Sequence, residues 1–341
     1  MQAAVITKAH HLEIRQVPDP AVSPDEVRLR VAATGVCGTD LHLYGGHFGA
    51  VFPLIAGHEI SGIVDQIGAN VRSVKEGDAV ALDPNISCGS CHHCRRGMQH
   101  HCENFAALGV TRAGGFAEYV VAPQTNVHPI GKLDLETAAF AEPLGCIAWG
   151  IKRLQPESGS KALLFGAGPI GILLMQALLI SGVCEVTVIE PNADRREVAK
   201  ALGATRVLEP NNDLKTQLFD LEPYGFDVVT EATGIGAVIS QLPQYATQGG
   251  KILYYGVAPD DLTVQISPYE VFRRDLTILG SFSLHGTLPI ALRWLASGLI
   301  EVKPLITHRL PIKDLQLALE YKNQVGLNGS QKTLIIPSGV V

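Results

Sequence analysis

The chain changes rhythm near its middle. Up to about residue 148, apolar residues alternate with polar ones or run in short blocks broken by Gly and Pro. EVRLRVAATGV (26–36), IAGHEISGIVDQIG (55–68) and EGDAVALDP (76–84) are of this kind. Such runs predict strands of an irregular, mostly β domain. From about residue 160, strand-like and helix-like segments take turns. KALLFGAG (161–168) predicts a buried strand and PIGILLMQALLISG (169–182) a helix. EVTVIE (185–190) and ADRREVAKALG (193–203) repeat the pair, and FDVVTEATG (226–234), KILYYGV (251–257) and LTILGSF (276–282) follow as strands. That alternation predicts an α/β unit with a parallel, doubly wound sheet. Near the end, ALRWLASGLI (291–300) predicts a helix and TLIIP (333–337) a closing strand.

Composition narrows the class. The 341 residues suffice for two domains with sizeable cores. They are 46% apolar and 18% charged, which excludes a disordered or fibrous chain. A net charge of -6 argues against general affinity for nucleic acid or anionic membrane. The most apolar stretch, ILLMQALLISGV (172–183), is too short to span a bilayer. MQAAVITKAHHLEIRQ lacks the apolar run and small-residue site of a signal peptide. A cytoplasmic, reducing compartment is the expectation, where clustered cysteines serve metals more often than disulfides.

The second region carries a nucleotide signature. Gly166-Ala-Gly168-Pro169-Ile170-Gly171 reads G-x-G-x-x-G and stands between a predicted strand and a predicted helix. There the first glycine makes the tight turn, the second admits a pyrophosphate, and the third lets helix pack on strand. The unpaired N–H groups of the helix start face the phosphates. Nineteen residues after Gly171, Glu190 ends the second strand, where a carboxylate accepts the ribose 2′-hydroxyl and repels a 2′-phosphate. The expectation is NAD. Arg195 and Arg196 stand close enough to serve a 2′-phosphate instead.

Four of the seven cysteines fall within fifteen residues. Cys88, Cys91, Cys94 and Cys102 are spaced C-x2-C-x2-C-x7-C. Four thiolates on one loop match tetrahedral zinc with no open position, a structural site. A ferredoxin-type run would need C-x3-C-P at its end, and here Glu103 follows Cys102. Cys146 and Cys184 match no metal motif. The chemistry has to come from elsewhere: Cys37 and His58, with a carboxylate from Glu59 or Glu142, can hold a second zinc with an open position. A zinc-ribbon nucleic-acid binder, suggested by HHCRRGMQHH, is disfavoured by the acidic balance and the lack of interleaved aromatics.

The order of these motifs resembles the zinc-dependent medium-chain alcohol dehydrogenases over nearly the whole chain. Cys37-Gly-Thr-Asp-Leu-His42, Gly57-His58-Glu59, the thiol cluster, Glu142-Pro and the glycine fingerprint come in the family's sequence, with GDAVALDP, GGFAEYVV and LITHRLP between and after them. Glu142, where ethanol-type enzymes have a cysteine, and LASGLIEVKPLITHRLP look most like the sorbitol and polyol dehydrogenase branch.

The resemblance implies a GroES-like catalytic domain from residues 1–148 and 286–341, with a Rossmann NAD-binding domain over 149–285. It implies two zinc ions per chain. Cys37 and His58 would be ligands of the catalytic one, Glu59 a ligand in some states, and Glu142 a ligand directly or through water. Asp40 would orient the ring of His58, and Thr39 and His42 would form a proton relay. The implied reaction moves a hydride from the secondary alcohol of a polyol or sugar acid to NAD, leaving a ketone, in a homodimer or homotetramer. Threonine and butanediol dehydrogenases are the alternatives within the family. A zinc-free quinone reductase or a nucleotide-binding regulatory protein is disfavoured by the two intact ligand sets. Where the sorbitol enzymes carry an Arg-Tyr pair, this chain has Ser283 and Leu284, which removes hydrogen-bond donors and predicts a best substrate other than sorbitol.

Overall fold

The computed structural model describes residues 1–323 and 329–337. The expected first domain runs on through 324–328 and 338–341, which lie outside the described residues. By its internal contacts the chain divides into two compact units, Met1–Gly145 with Leu284–Gly298 and Val302–Val341, and Cys146–Ser283 with Leu299–Glu301.

Among the described residues, the first unit is built on a seven-stranded sheet. In spatial order its strands are Ile306–Leu310, Lys332–Ile335, Glu26–Gly35, Glu59–Ile67, Ala79–Leu82 and Val127–Pro129, and Tyr119–Pro123 also pairs with Glu26–Gly35. All its pairings are antiparallel except that of Ile306–Leu310 with Lys332–Ile335. The alternation in EVRLRV sends Val27, Leu29 and Val31 inward. There they pack with Ile60, Val64, Val80 and Leu82. The hairpin Gln2–Lys8 with His11–Gln16 lies off this sheet.

The second unit is a six-stranded, wholly parallel sheet. Its spatial order is Arg206–Leu208, Glu185–Ile189, Lys161–Phe165, Phe226–Glu231, Ala246–Tyr254 and Thr277–Gly280. In chain order that is 3-2-1-4-5-6, the doubly wound arrangement, with its switch point between the first and fourth strands. Continuous apolar runs such as KALLF are buried on both faces, as the helical cover demands. The helix Pro169–Ile180 is apolar on every side but for Gln176, which bonds the Glu301 backbone, and it is buried from Gly171 to Leu178.

Candidate active site

The first candidate stretch is a capped helix start. Cys37 sits at the N-cap of the helix Gly38–Tyr44 with extended φ and ψ of -110° and 164°. The carboxylate of Asp40, three residues on, accepts the Cys37 backbone N–H at 2.8 Å. Its other oxygen accepts the N–H of Gly57 at 3.2 Å and lies 3.6 Å from Nδ1 of His58. One buried carboxylate therefore fixes both segments that bear Cys37 and His58.

Cys37, His58 and Glu59 form one group, with potential ligand atoms all within 4.8 Å of one another. A thiol, an imidazole and a carboxylate so gathered suit zinc. The electrostatics favour a cation there. Burial works against a charge on the His58 ring, but Asp40, with help from Cys37, outweighs it and holds its pKa well above the usual histidine range. Glu142, the candidate ligand directly or through water, is buried in the first turn of the helix Ala141–Leu154, and the group of three does not include it.

Glu59 has a partner that motif reading missed. Lys332 Nζ lies 2.6 Å from its Oε1 and also contacts Oε2. The pair passes over Gly35, which neighbours Glu59 and Leu334 on the two flanking strands. A Cβ at Gly35 would run into the Glu59 carboxylate and stand 2.8 Å from Lys332 Cε, so only glycine leaves room. The one signal in the sequence is a lysine opening a strand with no other charge, KTLI.

The relay candidates lie on the same helix. Thr39 Oγ1 is 3.9 Å from the Cys37 sulfur. The His42 ring is edge-on to Phe48 at 4.6 Å and to His47 at 6.5 Å between centroids. Burial, then the neighbouring charge of His47, lowers the His42 pKa. Leu284 is buried against Gly145, one turn beyond Glu142. Asn85 donates to its carbonyl at 3.1 Å, and the Thr287 hydroxyl donates to the Gly145 carbonyl at 2.6 Å. The segment is a brace for the turn that carries Glu142.

The thiol cluster closes on itself. Cys88, Cys91, Cys94 and Cys102 place their sulfurs within 4.8 Å of one another. Cys91 caps the short helix His92–Arg95 by accepting the N–H of Cys94. Cys102 Sγ accepts the N–H groups of Cys88 and Asn104, each at 3.3 Å. Backbone N–H groups of Ser90 and Cys91 bring the Cys88 thiol down to about 5, while burial pushes Cys94 up to about 12. N–H groups aimed at sulfur suit thiolate ligands, and four such ligands suit structural zinc.

In the second unit the glycine turn joins the Lys161–Phe165 strand to the helix Pro169–Ile180. Gly166 has φ 98°, and a Cβ on Gly171 would strike the Gly166 carbonyl. Gly168 is the N-cap, Pro169 occupies N1 and Ile170 follows. Glu190 does more than end its strand. It is buried, with Oε2 accepting the N–H of Ala167 at 2.7 Å and Oε1 that of Asn192 at 3.0 Å, so it ties the glycine turn to the next strand's loop. The Arg195 guanidinium comes within 3.7 Å of where a Gly168 Cβ would be, and burial lowers its pKa. Arg196 donates to the Glu190 and Pro191 carbonyls and pairs with Glu209, a structural use. Beside the turn is a cavity of about 380 Å³ lined by Phe165, Gly166, Ile189, Leu214, Thr233 and Val238.

A doubly wound unit with a glycine-rich turn, in one chain with a unit that bears one four-sulfur and one mixed site, defines a zinc-type, dinucleotide-dependent dehydrogenase. Residues 23–132 match the alcohol dehydrogenase GroES-like domain and 169–297 the zinc-binding dehydrogenase domain. D-arabinitol dehydrogenase 1 of Uromyces fabae is 37% identical, covering 94% of this chain and 93% of its own. D-altritol 5-dehydrogenase of Agrobacterium fabrum is 35% identical, covering 92% and 94%. L-threonine 3-dehydrogenase of Caldanaerobacter subterraneus is 37% identical, covering 94% and 96%. Among solved structures, a zinc-binding dehydrogenase of Sinorhizobium meliloti bound to NADP matches with TM-score 0.94 at 33% identity, covering 98% of this chain and 99% of its own. An alcohol dehydrogenase of Escherichia coli complexed with NADH matches with TM-score 0.92 at 29% identity, covering the same shares. The chain belongs to the zinc-dependent medium-chain alcohol dehydrogenase family.

Proposed function

We propose that the protein oxidises a secondary alcohol of a polyol or sugar acid to a ketone, with NAD as hydride acceptor. The observation that carries this reading is the buried group Cys37, His58 and Glu59, organised by Asp40, in a chain that also bridges its glycine turn with Glu190. The likeness to D-arabinitol and D-altritol dehydrogenases supports the substrate class. Glu190 supports NAD, since a 2′-phosphate beside a buried carboxylate is repelled.

Zinc at the mixed site supplies the positive charge that makes a hydroxyl acidic. Cys37 and His58 hold it, with Glu59 or Glu142 completing the set, and Asp40 fixes the His58 ring. Thr39 and His42 carry the released proton outward, and a neutral His42 is the acceptor. Cys88, Cys91, Cys94 and Cys102 hold a second zinc that stabilises their loop.

The protein works in the cytoplasm, as the metal-type spacing of its clustered cysteines favours. No helix among the described residues is long and apolar enough to cross a membrane. It acts as a homodimer or homotetramer. The Thr277–Gly280 strand ends its sheet, and Phe272 and Tyr269 just before it are exposed, which favours a second copy as cover.

L-threonine 3-dehydrogenase is the second reading, favoured by relatives of equal identity. The test is NAD reduction over C4 to C6 polyols, their acids, 2,3-butanediol and L-threonine. The expected result is highest kcat/KM with a polyol or sugar acid other than sorbitol. Threonine as the best substrate overturns the polyol assignment, and turnover of simple alcohols alone overturns both.

A further inference from the structure

A second carboxylate flanks the glycine turn from across the switch point. Glu231 ends the Phe226–Glu231 strand, which adjoins Lys161–Phe165 on the side opposite Glu185–Ile189. It is fully buried. Its Oε2 accepts the Thr233 N–H at 2.7 Å, the Thr233 hydroxyl at 2.9 Å and the Gly234 N–H at 2.8 Å. Its Oε1 accepts the Gly256 N–H at 2.9 Å. Two oxygens that only accept are the pattern of an ionised carboxylate. These four donors are all neutral.

The loops are shaped around this group. A Cβ on Gly256 would stand 2.6 Å from Oε2, and a Cβ on Gly166 would stand 2.9 Å from the Thr233 methyl. Glu231 thus sets Thr233, which sets one wall of the cavity beside the glycine turn. On the next strand the Tyr254 hydroxyl is buried without a hydrogen-bond partner, and burial, then the Glu231 charge, raises its pKa. A buried anion held by neutral dipoles is expensive in folding energy. Four hydrogen bonds between loops could be made more cheaply by neutral groups, so the charge itself calls for a use.

The cofactor's charge distribution supplies one. A dinucleotide spans the switch point, with its adenosine ribose on the Glu190 side. That leaves the nicotinamide half on the side of the Phe226–Glu231 and Ala246–Tyr254 strands. The nicotinamide ring is a cation when oxidised and neutral when reduced. A fixed negative charge in a medium of low dielectric attracts the first and not the second. We propose that Glu231 is a positioning residue that holds the Thr233 wall of the cofactor site and biases that site toward the oxidised dinucleotide. This rests on the dehydrogenase reading above.

The test is calorimetric titration of the purified, zinc-loaded protein with NAD⁺, NADH and ADP-ribose. In Glu231→Gln the ratio of NAD⁺ to NADH affinity should fall at least fivefold, with ADP-ribose changing as NADH does. Thr233→Val keeps the carboxylate and the methyl but removes one neutralising donor, so the same ratio should rise. An equal fold-change for all three ligands in Glu231→Gln, or none, overturns the inference. If that variant does not fold, Thr233→Val decides alone, and an unchanged or lower ratio overturns it. Failure of the unmodified protein to bind any of the three overturns the dehydrogenase reading instead.

Discussion

Lys332 and Glu59 are joined at 2.6 Å inside the first unit, with residue exposures of 3% and 0%. The lysine is also 5.9 Å from the centre of the Phe140 ring. Burial opposes its charge, and Glu59, followed by Cys37, more than restores it, raising its pKa. Glu59 is therefore a carboxylate shared between an ammonium group and the Cys37–His58 site.

Removing one partner of such a pair strands the other. Lys332→Met should destabilise the fold by about 3–5 kcal/mol, the usual cost of breaking a buried ion pair. Adding Glu59→Gln should recover most of that loss, since no buried charge is then left alone. Urea denaturation of the single and double variants checks this. A Lys332→Met protein as stable as the unmodified one would show that Glu59 finds another partner.

The two zinc sites should separate on mutation. Cys88→Ser leaves three sulfurs where four converge, and structural zinc contributes folding free energy. It should lower Tm and release one zinc of two per chain. Cys37→Ser removes a ligand of the mixed site and should leave Tm nearly unchanged while abolishing turnover. Metal analysis beside thermal denaturation distinguishes them. One zinc or none in the freshly purified unmodified protein counts against two sites.

Glu190→Ala removes the acceptor of two backbone N–H groups as well as the carboxylate proposed to meet the ribose. Two effects should therefore appear together. The preference for NAD over NADP in kcat/KM should shrink, with Arg195 left as the charged group nearest Gly168. Affinity for NAD itself should fall, because the glycine turn loses its tie to Asn192. A variant that gains NADP activity with undiminished NAD affinity would mean the tie contributes nothing.

What could be read from the sequence was what is local. The glycine turn, its flanking strand and helix and Glu190 lie within thirty residues, so motif and periodicity suffice for them. The four thiols announce themselves by spacing. The Glu59–Lys332 pair is separated by 273 positions, and only the sheet topology that sets Gly35 between the two strands brings it together. Glu231 was hidden for a different reason: as the last residue of an apolar strand it looks like a surface carboxylate. The loops of Gly234 and Gly256 bury it. That Ser283 and Leu284 bring no guanidinium or phenol could be read from their identities; that the Leu284 side chain turns inward against Gly145 could not.

The proton route makes a pH prediction with a definite sign. An exposed imidazole titrates near pH ~6.5. At His42, burial first and the like charge of His47 second disfavour the protonated ring, so its pKa lies below that value. His42 then stays neutral, and able to accept a proton, into mildly acidic solution. The acid limb of the kcat profile that belongs to it should fall below pH ~6.5. His47→Asn removes the second cause and leaves the first, so the limb should move upward in pH while the plateau rate is kept. His42→Gln removes the acceptor; turnover should drop about 10-fold or more near neutrality and recover toward alkaline pH, where hydroxide replaces it. Steady-state rates from pH 5 to 10 for the three proteins check both shifts. A limb that stays in place in His47→Asn excludes the coupling of the two rings, and an unchanged profile in His42→Gln removes His42 from the proton's path.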